Sequence, residues 1–164
     1  MSESYVECLV KQKKSGWGTF LKVFLIVLAV VLFFVMMVFP LAFILFLAAL
    51  AGIYFVNLFT DLEFEYLYLD RELVIDKVMA KSRRKRVGTY SIDRIEVLAP
   101  IKSYHLDNYK NRTAKQKDYS IGEELKPDKR YVMYYEGGEK LLLSPSEEMI
   151  KVMRSSAPRK IFND

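Results

Sequence analysis

Hydropathy divides the chain sharply. From Val23 to Phe59 no residue is charged, and Asn57 is the one strongly polar side chain in the run. Beyond Thr60 charges return every few residues. About 18 consecutive apolar residues already mark a membrane span, and this run is far longer. A single straight helix over it would measure roughly 55 Å at about 1.5 Å per residue. The hydrocarbon core is only about 30 Å thick. Two spans fit, and Pro40 stands near the middle of the run. Proline has no N–H and biases the residue before it away from helix, so Phe39-Pro40 is the natural break. The prediction is a helical hairpin over 20–59, with spans of about 20–38 and 41–58. Its turn carries no charge, so the free backbone groups must lie at the far interface or be satisfied within the hairpin. A re-entrant hairpin entering one leaflet is the alternative geometry. Ala48, Ala49, Ala51 and Gly52 read either as a small-residue face for close helix approach or as ordinary lipid-facing positions.

After the hairpin the periodicity changes to that of strands. Phe64–Leu69 alternates and is rich in aromatics, and Leu73–Met79 is rich in β-formers, with Asp70-Arg71-Glu72 as the turn between them. Lys85–Ser91 and Ile95–Ile101 follow, the latter with Ile95, Val97, Ala99 and Ile101 on one face. Arg130–Tyr135 and Lys140–Leu143 form a further hairpin, with Gly137-Gly138 supplying positive φ angles. The last element is a helix predicted to start at Ser144 as N-cap, with Pro145 at the first helical position and Glu147 completing a capping box. Met149, Ile150 and Met153 are its apolar face, and Ser155-Ser156-Ala157-Pro158 ends it. The polar stretch 103–129 is too long for a structureless loop in a compact domain. It therefore reads as part strand, a lid or an unstructured insertion. The predicted class is α+β: a membrane hairpin, then an antiparallel domain of six or seven strands over 60–164, closed by a C-terminal helix. Tyr5–Val10, within the N-terminal segment 1–19, has the composition of a strand. It either pairs with the edge of the sheet or lies in the membrane interface as a short amphipathic helix.

Composition and charge refine this outline. The chain has 164 residues, 52% of them hydrophobic, a net charge of +5 and one cysteine, Cys8. A single cysteine excludes an intramolecular disulfide and a four-cysteine metal site. Lys11, Lys13, Lys14 and Lys22 resemble the basic start of a signal peptide, but a signal's apolar segment is about 7–15 residues and ends at a cleavage site. The same lysines orient the hairpin. They precede or open the first span, the turn has none, and Arg71 and Lys77 follow the second, so both termini are expected in the cytoplasm at the cell membrane. Trp17, Tyr54 and Phe59 stand where interface anchors belong.

A resemblance enters here. Antiparallel strands closed by one C-terminal helix are similar to the pleckstrin-homology (PH) fold. Leu73-Val74-Ile75-Asp76, a basic turn, and Ile92-Asp93-Arg94-Ile95-Glu96-Val97 resemble bacterial PH-like domains that follow paired membrane spans. Tyr5-Val6-Glu7, Lys81-Ser82-Arg83-Arg84-Lys85-Arg86 and Leu98-Ala99-Pro100 extend the likeness over nearly the whole chain, to a family of small bacterial two-span membrane proteins with a PH-like cytoplasmic domain. These motifs are structural. The resemblance brings no activity and no site residues with it.

The sharpest local feature is Lys81, Arg83, Arg84, Lys85 and Arg86, expected to splay outward from a strand-to-strand turn. Phosphoinositide-binding PH domains use basic residues on their early strand turns, so the resemblance implies contact with anionic lipid headgroups. A solvated turn with incidental charge is the plainer reading. Nucleic acid fits poorly on a membrane-tethered domain. His105 reads as a surface-loop histidine rather than a metal ligand, and Glu123-Glu124 and Glu147-Glu148 as solvated carboxylates. The strand tyrosines Tyr66, Tyr68, Tyr90, Tyr131, Tyr134 and Tyr135 read as core packing or as an exposed aromatic face. No phosphate loop, nucleophile elbow or H-E-x-x-H zinc motif occurs, so no enzyme, cofactor or metal is expected. Two functions follow: a membrane-anchored binding or scaffolding module contacting a protein or anionic lipid, and an accessory subunit of a larger transport or envelope complex, assembled through the hairpin with another membrane protein.

Overall fold

The computed structural model describes residues 5–14, 16–122 and 128–164, so Glu123-Glu124 lie outside it. These residues form two compact units. One holds Lys14–Leu62 and Met79–Arg83, and the other holds the remaining described chain.

The first unit is the hairpin. Helix α1 (Gly16–Val38) and helix α2 (Ala42–Thr60) are both long and apolar enough to cross a membrane. The break falls at Pro40, where the absent N–H costs no helical hydrogen bond. Ala42 N–H donates to Phe39 (2.9 Å) and Phe43 N–H to Pro40 (3.1 Å), so the uncharged turn satisfies its own backbone. The small-residue face divides between its two readings. Ala49 is buried and Gly52 packs against Leu25, three positions apart on one helical face, whereas Ala48 and Ala51 point outward. At the open end, Gly18 lies so close to Thr60 that a Cβ there would sit 3.0 Å from the threonine hydroxyl oxygen.

The second unit is built on two four-stranded sheets. The first runs in the order β1 (Val6–Lys11), β2 (Leu62–Leu69), β3 (Glu72–Met79), β4 (Arg83–Ser91). The N-terminal segment is therefore a strand, and it pairs antiparallel with β2 from Val6↔Tyr68 to Lys11↔Glu63. The segments before and after the hairpin are neighbours in one sheet. The β2–β3 connection uses Asp70 and Arg71 at φ 50° and 65°, the left-handed pair that a two-residue hairpin needs.

The second sheet contains β5 (Ile95–Pro100), β6 (Lys115–Asp118), β7 (Tyr131–Tyr135) and β8 (Glu139–Leu143) in the order β5-β7-β8-β6. Among the described residues, seven strands thus follow the hairpin. Their pairing is not wholly antiparallel, because β6 runs parallel to β8. The stretch 103–129 supplies that strand and a 3-10 turn over Tyr104–Tyr109. The expected single face of Ile95, Val97, Ala99 and Ile101 is also corrected. A register shift between Ile95 and Val97 inserts one extra residue, sending Ile95 and Leu98 to one core cluster and Val97 and Ala99 to another. Beyond β5, the tail covers the strand's free edge: Leu98 N–H donates to Lys160 and Phe162 N–H to Leu98, each at 2.8 Å.

Helix α3 (Glu147–Ser156) starts two residues later than the sequence suggests. Ser146 is the N-cap, its hydroxyl accepting from Met149 N–H at 3.2 Å, while Ser144 Oγ accepts instead from Ile121 N–H. Pro145 therefore precedes the cap, and Glu147 is the first helical residue rather than a capping partner. Met149, Ile150 and Met153 are fully buried in one cluster with Tyr66, Ile75, Leu98 and Leu141, joining both sheets to the helix. Tyr66, Tyr68, Tyr90, Tyr134 and Tyr135 are buried as well, so these five are core. Tyr66 donates to the Tyr119 carbonyl and accepts from Ser144 N–H, and Tyr68 donates to Ser156 Oγ. The polar ends of these two rings are satisfied at the core's rim.

Gly88 lies beneath the Tyr90 ring, where an added Cβ would come within 2.4 Å of a ring carbon. Gly88→Ala should therefore lower stability by about 1–3 kcal/mol through overpacking. Thermal unfolding of the full chain in detergent, beside Thr89→Ala at the neighbouring exposed position, checks this.

Candidate functional site

The five cations divide between a turn and a strand. Ala80 and Lys81 occupy left-handed backbone at φ 47° and 56°, and with Ser82 they form the β3–β4 turn. Arg83, Arg84, Lys85 and Arg86 lie on β4 itself. The expected splayed turn thus holds only Lys81, and strand alternation sorts the rest onto two faces. Arg84 is bound to Glu65 at 2.8 Å and Arg86 to Asp76 at 3.3 Å. Lys81, Arg83 and Lys85 are exposed and have no ion-pair partner among the described residues. Three cations are available where the sequence suggested five.

The turn is also tied down. Ala80 N–H donates to the Asp61 carbonyl at 2.8 Å, immediately beyond the end of α2. Within this same unit, Lys14, Thr19, Lys22, Asn57, Thr60, Asp61 and Ala80 enclose a polar pocket of about 260 Å³. Lys14 Nζ approaches Asp61 Oδ1 to 3.5 Å, yet that oxygen is buried and receives no hydrogen bond. Thr60 donates its hydroxyl proton to Val56 at 2.6 Å. Sequence reasoning misses this pocket because its residues come from three separate stretches. Two signals point toward it: Asn57 as the lone polar side chain of the apolar run, and Lys22 as the last charge before it.

The family model described as a bacterial PH-like domain (DUF6106) matches residues 2–163. The chain belongs to this family. No curated protein and no solved structure matches it. The PH-like match begins ahead of the hairpin, in agreement with β1 being a strand of the domain's own sheet.

Elsewhere in the PH-like domain the candidate residues are held by their neighbours. His105 is no loose loop residue, because its ring stacks on Phe162 at 3.6 Å between centroids and also contacts Tyr104 at 4.0 Å. Among the described residues, no three histidine, cysteine or acidic side chains are grouped as a metal would require.

The charged face of the first sheet carries one unusual pair. Glu65 shares a hydrogen bond with Glu7 on the neighbouring strand. That bond, together with burial, raises the Glu65 pKa in spite of Arg84, while the same bond and one donated by the Tyr5 hydroxyl (2.8 Å) lower that of Glu7. Raised proton affinity in the folded state adds stability that is complete below the ordinary value of 4.5 and is lost as pH climbs through the raised one. Glu7 acts in the opposite sense, below 4.5. Glu65→Gln cannot ionise, so the variant should gain stability relative to the parent as pH rises from 4.5. Denaturant titrations at stepped pH test this, and parallel curves would refute it.

Proposed function

We propose that this chain is a membrane-anchored binding module, without a catalytic role, that brings a PH-like domain to anionic lipid headgroups on the cytoplasmic face of the cell membrane. The observation that carries this reading is the hydrogen bond from Ala80 to Asp61. It fastens the turn bearing Lys81 and Arg83 to the residue that follows α2. Cations held at the mouth of an apolar hairpin meet the headgroup layer, where each contributes about 1 kcal/mol beside an anionic leaflet. The exposure of Lys81, Arg83 and Lys85 supports the same reading, since none of them is engaged by an acidic neighbour among the described residues.

Orientation is supported by two features. The β1–β2 ladder joins the segment before the hairpin to the segment after it, so both flanks share one side of any membrane the hairpin enters. Lysines gather at that open end and the turn has none, which favours the cytoplasmic side. An accessory subunit docked through the hairpin is the second reading, and a groove of about 420 Å³ between α1 and α2 speaks for it, with Ala29, Phe33, Phe46 and Leu50 among its lining. An acyl chain fills such a groove as readily as a partner helix does.

Full-length protein in nanodiscs tests the lipid contact. Hydrogen–deuterium exchange over 80–86 should slow when phosphatidylglycerol replaces part of the phosphatidylcholine. The triple change Lys81→Gln, Arg83→Gln, Lys85→Gln should abolish that slowing, and identical exchange in both lipids would sink the proposal. For orientation, Lys11→Cys or Arg159→Cys on a Cys8→Ser background should react with an impermeant maleimide only after the cells are opened. Labelling of intact cells at either position would reverse the assignment.

A further inference from the structure

The polar pocket at the open end of the hairpin holds groups that lack partners. Lys22 stands on α1 between Leu21 and Val23, and among the described residues its ammonium has no hydrogen-bond or ion-pair partner. The Asn57 amide on α2 likewise has none, and the buried Asp61 Oδ1 accepts no hydrogen bond. All three line the same pocket, with Lys14 beside Asp61. Buried polar groups are nearly always satisfied, and charged residues within a spanning helix mark ligand sites more often than packing. The volume of about 260 Å³ is several times the roughly 30 Å³ share of one water molecule.

We infer that this pocket binds one phospholipid by its headgroup, and that the headgroup is a phosphodiester bearing a terminal hydrogen-bond donor. Lys14 and Lys22 supply the cations and the Asn57 amide a neutral donor for the phosphate oxygens. Asp61 Oδ1 accepts from the headgroup's own N–H or O–H. Phosphatidylethanolamine and phosphatidylglycerol both meet this description. Phosphatidylcholine does not, because its quaternary ammonium has no proton to give. Acyl chains enter the hydrocarbon layer alongside α1 and α2, so a lipid satisfies the apolar helices and the polar pocket together, which a free phosphate cannot do. The inference rests on the membrane-anchored reading but uses residues apart from the basic β3–β4 segment.

The experiment uses the full chain, purified in an uncharged detergent and stripped of lipid, followed by thermal unfolding and native mass spectrometry. Phosphatidylglycerol or phosphatidylethanolamine should add one lipid per chain and raise Tm by roughly 5 °C. Phosphatidylcholine should do neither. Lys22→Met and Asn57→Leu should each remove the shift. Asp61→Ala, which removes the acceptor, should admit phosphatidylcholine as well as the other two, a change of preference that simple unfolding would not produce. Equal shifts with all three lipids, or an undiminished shift in both Lys22→Met and Asn57→Leu, overturn the site. A full shift from inorganic phosphate or glycerophosphoethanolamine overturns the assignment to lipid. The triple Gln variant of Lys81, Arg83 and Lys85 should keep the one-lipid shift, so this site and the surface contact can fail separately.

Discussion

The β1–β2 ladder is the constraint on which the architecture depends. Six residues ahead of the hairpin pair in register with β2, and Val6, Val10, Phe64, Tyr66 and Tyr68 enter the main core from these two strands. Removing β1 would uncover Tyr66 and leave the backbone of β2 as an open edge. A chain that begins after the hairpin is consequently not the whole domain. The apolar hairpin is an insertion between two strands of one sheet.

Much of this was legible in the sequence, and the reasons are physical. Hydropathy separates hairpin from sheet because lipid tolerates no charge over the length of a span. Pro40 and Gly137-Gly138 mark turns because their backbones suit little else. What stayed hidden depends on register and tertiary pairing. A bulge at Glu96 leaves no local signature, yet it moves Val97 and Ala99 into a different cluster from Ile95. Strand β6 is Lys115-Gln116-Lys117-Asp118, without an apolar residue, and is a strand because it pairs with β8. The helix cap moved from Ser144 to Ser146 because the first serine is engaged by Ile121.

The candidate site shows the same division. Composition pointed to the cationic segment but could not say which cations are spent within the fold. Arg84 and Arg86 are matched to Glu65 and Asp76, residues of two other strands. Each pair joins an exposed guanidinium to a largely covered carboxylate. Their effect is one of selection, since they leave Lys81, Arg83 and Lys85 as the cations of this segment without an acidic partner among the described residues. Asn57 was visible as the one strongly polar side chain of the apolar run and Lys22 as the last charge before it, but their meeting with Asp61 required the hairpin to close.

The position of β1 also orders events during synthesis. Protein chains emerge N-terminus first. Val6–Lys11 is therefore made before either helix, and its partner Leu62–Leu69 only after both. The first strand must wait, unpaired, while the hairpin is made. Loop closure across α1 and α2 is a long-range step of the kind that slows folding. If the second helix fails to return, the two strands stay apart and the core cannot form. Closure of the first sheet is thereby a built-in checkpoint: a formed domain certifies that its hairpin has turned back.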